Sequence, residues 1–96
     1  MRFGPMALAA LLAVPALSAR PAYDFAAPGV AIRAEPAAGA RVHGFGQPGE
    51  GFASNREEEH GAYACGPYET TLWHHGHNAS TGVIGWVPAC DLLDSD

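Results

Sequence analysis

The stretch Thr71-Leu72-Trp73-His74-His75-Gly76-His77 sets three histidines within four positions of a 96-residue chain. Imidazole is a general base near neutral pH and the commonest side-chain ligand for transition metals. Side chains on a strand alternate between faces, so His74 points away from His75. His75 and His77 share a face unless Gly76 turns the chain. Such a pair supplies two ligands, whereas zinc takes three or four from protein. His43, His60 or an acid would have to supply the others, and no spacing in the chain forces that convergence. Glu57-Glu58-Glu59-His60 offers oxygen ligands but lacks the spaced acidic loop of a calcium site. No G-x-S-x-G turn accompanies the histidines. The expectation is therefore no catalytic residue, no metal and no cofactor. The alternative is a metal-binding protein using His74, His75 and His77.

Cys65 and Cys90 are the other reactive side chains, and their chemistry depends on the compartment. Met1-Arg2 supplies one positive charge, Met6 to Leu17 is an uncharged apolar run, and small residues surround Ser18. This is the pattern of a secretory signal peptide, residues 1–18, with Ser18 the favoured cut site and Ala16 or Ala19 the alternatives. The run is too short for a spanning helix, which needs about 20 apolar residues. No cysteine follows it, so no lipid anchor is expected. In an exported chain two cysteines have one intramolecular pairing, Cys65–Cys90. The competing reading is a reactive thiol with a histidine base. The small core favours the staple.

Export also changes the charge balance. Arg2 leaves with the signal, so four arginines face ten acids, a net charge of −6, with no lysine anywhere. Such a surface cannot release counterions from nucleic acid, which excludes DNA and RNA as main partners. It argues equally against anionic lipid, so no membrane contact is expected after the signal is removed. The missing lysine and abundant alanine match the coding bias of a high-GC bacterium.

Residues 19–28 read as a linker, with Tyr23 and Phe25 able to pack as a lead-in strand. From Gly29 the pattern alternates. Val30, Ile32 and Ala34 share one face, Arg41–Phe45 and Glu50–Ser54 follow as short strands, and Gln47-Pro48-Gly49 turns between them. Arg56–Gly61 reads as a charged, solvated connection. Ala62–Cys65 and Thr70–His75 are further strands, Gly76–Ser80 is a turn, and Thr81–Val87 is the last long strand. Asn78-Ala79-Ser80 fits a glycosylation triplet, the mark of a surface turn. Short strands punctuated by Gly and Pro, with no helical period, predict an all-β fold. A small antiparallel barrel of five to six strands over residues 29–93 is the expectation.

Val30-Ala31-Ile32-Arg33-Ala34-Glu35-Pro36 resembles the opening strand of bacterial SH3-like (SH3b) domains. Arg41–Phe45 with Gln47–Glu50 resembles their second strand and Gly-acid turn. Leu72-Trp73-His74-His75 is similar to the fourth strand, and Thr81–Val87 to the late Gly-Trp-Val strand. The chain departs from the pattern at Ala31, where Asn is usual, and in a long insert, residues 55–69. The resemblance implies an exported β-barrel that binds ligands and performs no chemistry, with peptidoglycan peptides the common target. The insert is the longest irregular segment, and Cys65 near its end would tie it to Cys90.

The expected function is a secreted, non-enzymatic module that recognises cell-wall peptide or an extended protein segment. Trp86 with Tyr63, Tyr68 or Phe52 is the candidate aromatic groove, because such side chains dominate peptide and sugar recognition. Trp73 is assigned to packing. Arg33 is assigned to an acid such as Glu35 or to the turn backbone. A third reading is a small inhibitor of an extracellular enzyme, with insert 55–69 as its reactive loop.

Overall fold

The computed structural model describes residues 22–95. The signal segment, residues 1–18, and the first residues of the linker lie outside the described residues. Six strands follow in order: β1 (Ala22–Tyr23), β2 (Val30–Arg33), β3 (Val42–Gly46), β4 (Phe52–Cys65), β5 (Tyr68–Asn78) and β6 (Ile84–Pro88). Among the described residues a 3-10 turn, Ala89–Asp91, follows β6. All pairings are antiparallel, in one sheet of order β1-β4-β5-β6-β2-β3. The fold is all-β, as the sequence predicts, and the sheet curls into a half-barrel.

The alternation in β2 has the predicted consequence. Val30 and Ile32 are buried, while Ala31 and Arg33 are only half-buried. Arg33 donates from a guanidinium nitrogen to the Ala40 carbonyl at 2.8 Å, capping the turn between β2 and β3. It serves the turn backbone rather than Glu35.

The insert is not a loop. Arg56–Gly61, expected as a solvated connection, is the middle of β4, which pairs with β5 from Phe52↔Asn78 to Cys65↔Tyr68. Charge hides this strand from sequence patterning because most of its side chains meet water on both faces. Gly66 and Pro67 make the hairpin turn. Gly66 has φ 60°, the left-handed geometry that a glycine-first two-residue hairpin turn requires. Two register shifts, at Ser54/Arg56 and at Glu59/Tyr63, interrupt the ladder. Bulges of this kind bend a strand and re-aim its side chains.

Gly76–Ser80 is also corrected, since β5 continues through Gly76 to Asn78 and the turn begins there. Gly76 is needed for contact, not for turning: a Cβ there would collide with the Ala53 carbonyl. Asn78 is fully buried. Its side-chain oxygen accepts the N–H groups of Ser80 and Thr81, and its amide donates to Glu50. A buried amide so engaged is no surface glycosylation site.

The core gathers Phe25, Val30, Ile32, Phe52, Val87 and Leu92, each contributing roughly 1.5–3 kcal/mol by leaving water. Phe25 is 1 % exposed, so the segment expected as a linker belongs to the domain. Its ring meets Phe52 edge-on at 5.8 Å and fills the space a Cβ on Gly46 would need. It bridges to Leu92. Phe25 thereby spans the gap between the two edges of the curled sheet. Asp24 fixes the entry, its carboxylate accepting from the Phe25 and Gly49 N–H groups at 2.9 and 2.7 Å.

Candidate functional site

The three histidines of β5 separate as the strand pleat demands. His74 is fully buried. Its Nε2–H donates to the Ser95 carbonyl at 3.3 Å, which leaves Nδ1 to accept the Ser54 hydroxyl at 2.8 Å. Tyr23 covers the ring at 5.1 Å. This Ser–His pair has the atoms of a nucleophile and base, but both residues are sealed from any substrate. His75 points to the other face and pairs in register with Arg56 and Trp86. His77 lies opposite Ala53 and Ile84. Among the described residues no three His, Cys, Asp or Glu side chains gather closely enough to hold a metal ion.

Trp86 is only 7 % exposed, because its neighbours close over it. The Arg56 guanidinium lies over its ring at 5.0 Å, and His75 and His60 meet it edge-on at 5.1 and 5.6 Å. The bulge in β4 carries His60 and Gly61 back over this face, where the Gly61 carbonyl accepts the Trp73 indole N–H at 2.9 Å. Tyr63 packs edge-on against Trp73 at 5.5 Å. Glu58 ties the cover together, accepting from His60 Nε2 at 2.8 Å and pairing with Arg56 at 3.2 Å. The hydrogen bond from His60 holds the Glu58 carboxyl below the usual carboxylate range. Burial pushes the His75 imidazole down, and Arg56 adds to the effect. The group is a second packed cluster rather than an open groove.

The four aromatics proposed for one groove therefore part company. Phe52 is in the main core, Trp86 lies under its cation and imidazoles, and Tyr63 is half-buried against Trp73. Only Tyr68 is open, at 71 % exposure.

Tyr68 follows the hairpin turn, and the hairpin tip is fastened down. Cys65 and Cys90 form a disulfide with their Cα atoms 5.9 Å apart. The staple holds the tip against the C-terminal turn, and a cleft of about 550 Å³ opens between them. Tyr68, Pro67 and Leu92 line it with the 51 %-exposed Leu93 and the acidic residues Asp91 and Asp94. A second hollow of about 540 Å³ shares Tyr68, Leu92 and Asp94 and adds Glu69. Asp94 has φ 58°, the one non-glycine residue with positive φ among the described residues. Sparsely populated backbone of this kind clusters at ligand-holding sites. Burial pushes the Asp91 carboxyl up, and Arg33 opposes the rise.

The sequence offers Tyr68 only as a companion of Trp86 and gives no role to Leu93, Asp91 or Asp94. The available signal was the acid–apolar–apolar–acid run directly after Cys90, which any staple to Cys90 must place beside its partner. No protein-family model, no curated protein and no solved structure matches the chain.

Proposed function

We propose that the protein is a secreted, non-catalytic binding module that takes an extended peptide, cell-wall peptide foremost, in the Tyr68 cleft. One observation carries this reading: an exposed aromatic and an exposed leucine face a hollow whose two walls are joined by a disulfide. Ligand sites are concave and largely apolar, with a few placed polar groups. A cross-linked wall loses little freedom when a ligand arrives, so less of the contact energy is spent on ordering. Phe45 and Ile84 are also exposed, but they line neither hollow. The likeness of the strands to SH3b domains supports a wall peptide as the target.

The test is sedimentation of the exported protein with purified peptidoglycan, comparing wild type with Tyr68→Ala. Wild type should co-sediment, and Tyr68→Ala should lose at least tenfold in affinity. Failure of the wild type to bind would remove the wall-binding reading. A second reading, inhibition of an extracellular enzyme, is favoured by the same tip, which presents Tyr68 outward on a stapled hairpin. Under that reading an enzyme would bury Tyr68, and the protein would slow peptide hydrolysis without sedimenting with wall.

A further inference from the structure

The lining of the cleft says which peptide suits it. Its charged side chains are carboxylates only, Asp91 and Asp94, and Glu69 adds a third in the adjoining hollow. No Lys, Arg or His lines either space. The ion pairs among the described residues are Arg56–Glu58 and His60–Glu58, so none engages Asp91. Arg33 acts on Asp91 only from beyond ion-pair distance. Asp91 is half-buried, and a carboxylate so placed gains from a cation that comes with the ligand. The Tyr68 ring beside it offers a π-face, which also attracts a cation. Apolar walls, an aromatic face and unpaired carboxylates together fit a flexible apolar stem that ends in an ammonium.

We propose that the Tyr68 cleft binds an extended peptide through a side-chain ammonium, its stem against Tyr68 and Leu93 and its charge on Asp91 and Asp94. This rests on the reading of the cleft as the binding site. It adds the selection rule: a peptide with a neutral or anionic side chain at that position is rejected. The chain itself has no lysine, so no copy of it offers such a side chain to its neighbour.

The test is calorimetric titration of the exported protein with a terminally blocked Ala-Ala-Lys-Ala-Ala peptide and its Nε-acetyl twin. Acetylation removes the charge and keeps the stem. Wild type should bind the ammonium peptide at least tenfold more tightly than the acetyl form. Asp91→Asn should erase that difference, Asp91→Glu should keep most of it, and Tyr68→Ala should weaken both peptides. Circular dichroism of each variant confirms that the sheet is intact. Equal affinity of wild type for the two peptides, or a preference that survives Asp91→Asn, overturns the ammonium assignment. If Tyr68→Ala still weakens both peptides in that case, the cleft remains the site and only the selection rule falls. Binding of neither peptide at millimolar concentration removes both.

Discussion

Replacing both half-cystines, Cys65→Ser with Cys90→Ser, is the perturbation whose size the structure sets most directly. The bond joins residues 25 apart in sequence. A loop of that length removes chain entropy from the unfolded state worth roughly 3.5 kcal/mol at 25 °C. A single core in a domain this small rarely supplies more than about 3–5 kcal/mol, so the loss is comparable with the whole margin. With about 1 kcal/mol per molar for urea, the midpoint should fall by roughly 3 M. A 1 kcal/mol change shifts Tm by about 4–8 °C at this size, so melting should drop by some 15–30 °C. The assay is urea unfolding followed by far-UV circular dichroism and tryptophan fluorescence, both probes on both proteins.

There is a rival outcome with a different physical cause. The staple lies at the tip of the β4–β5 hairpin, far along the ladder from Phe52 and Asn78. If the tip can fray while the base stays folded, the variant keeps its global midpoint and loses only local order. Hydrogen exchange separates the two. Global loss accelerates every protected amide together, whereas fraying accelerates Tyr63–Thr70 and leaves Ser54 and His77 slow. A midpoint shift below about 0.5 M urea, with amides of the tip still protected, would refute both forms of the argument.

Phe25→Ala should cost about 3–5 kcal/mol, as for a fully buried aromatic, and urea unfolding will show whether the lead-in segment is part of the cooperative unit; a loss under 1 kcal/mol would return it to a linker. Arg56→Ala should raise the His75 titration midpoint, because the guanidinium is one cause holding it down; NMR of the imidazole protons reads this, and a fall would contradict the assigned contact. For His75 itself the folded form resists the proton more than the unfolded chain does, so stability should fall as pH drops below about 6.5, and His75→Gln should flatten that slope in pH-dependent melting. Asp91 has the opposite sign for an acid: its folded carboxyl holds the proton more tightly than the unfolded one, so its ionisation costs stability as pH rises above the usual carboxylate range. Asp91→Asn should therefore raise Tm at pH 7 and lose that advantage near pH 3; a lowered Tm at pH 7 would mean that the carboxylate is paired.

Much of the sheet was legible because alternation reports a face. Val30 and Ile32 against Ala31 and Arg33 encode β2 directly, and the Gly-Trp-Val run lies within β6. Arg56–Gly61 defeats the same rule, since a strand with water on both faces has no apolar period to read. Phe25 could be read as able to pack, but not where. One buried ring in an irregular segment has no pattern, and its pocket is made by Gly46, some twenty residues away. The site was least legible. The sequence favours Trp86 as the aromatic anchor with Tyr68 as one companion, and the bulge at Glu59/Tyr63 reverses that order by laying His60 over Trp86. Register shifts of one or two residues leave no mark in composition.

The histidine run shows how one strand can serve two packed faces and still leave function elsewhere. His74 holds Ser54 and the carbonyl of Ser95 on one face, while His75 supports Trp86 on the other. Gly76 is bare because the Ala53 carbonyl sits against it. His74, His75 and Gly76 are thus explained by contacts within the fold. The remaining features lie at the other end of β5: an aromatic in water, a carboxylate with no ion pair among the described residues, and a positive φ at Asp94. Folding alone does not favour the first two, whereas the positive φ at Asp94 turns the chain so that Ser95 reaches His74 and Ala89. A ligand that supplies apolar contact and positive charge would stabilise the first two together, beside the Cys65–Cys90 disulfide.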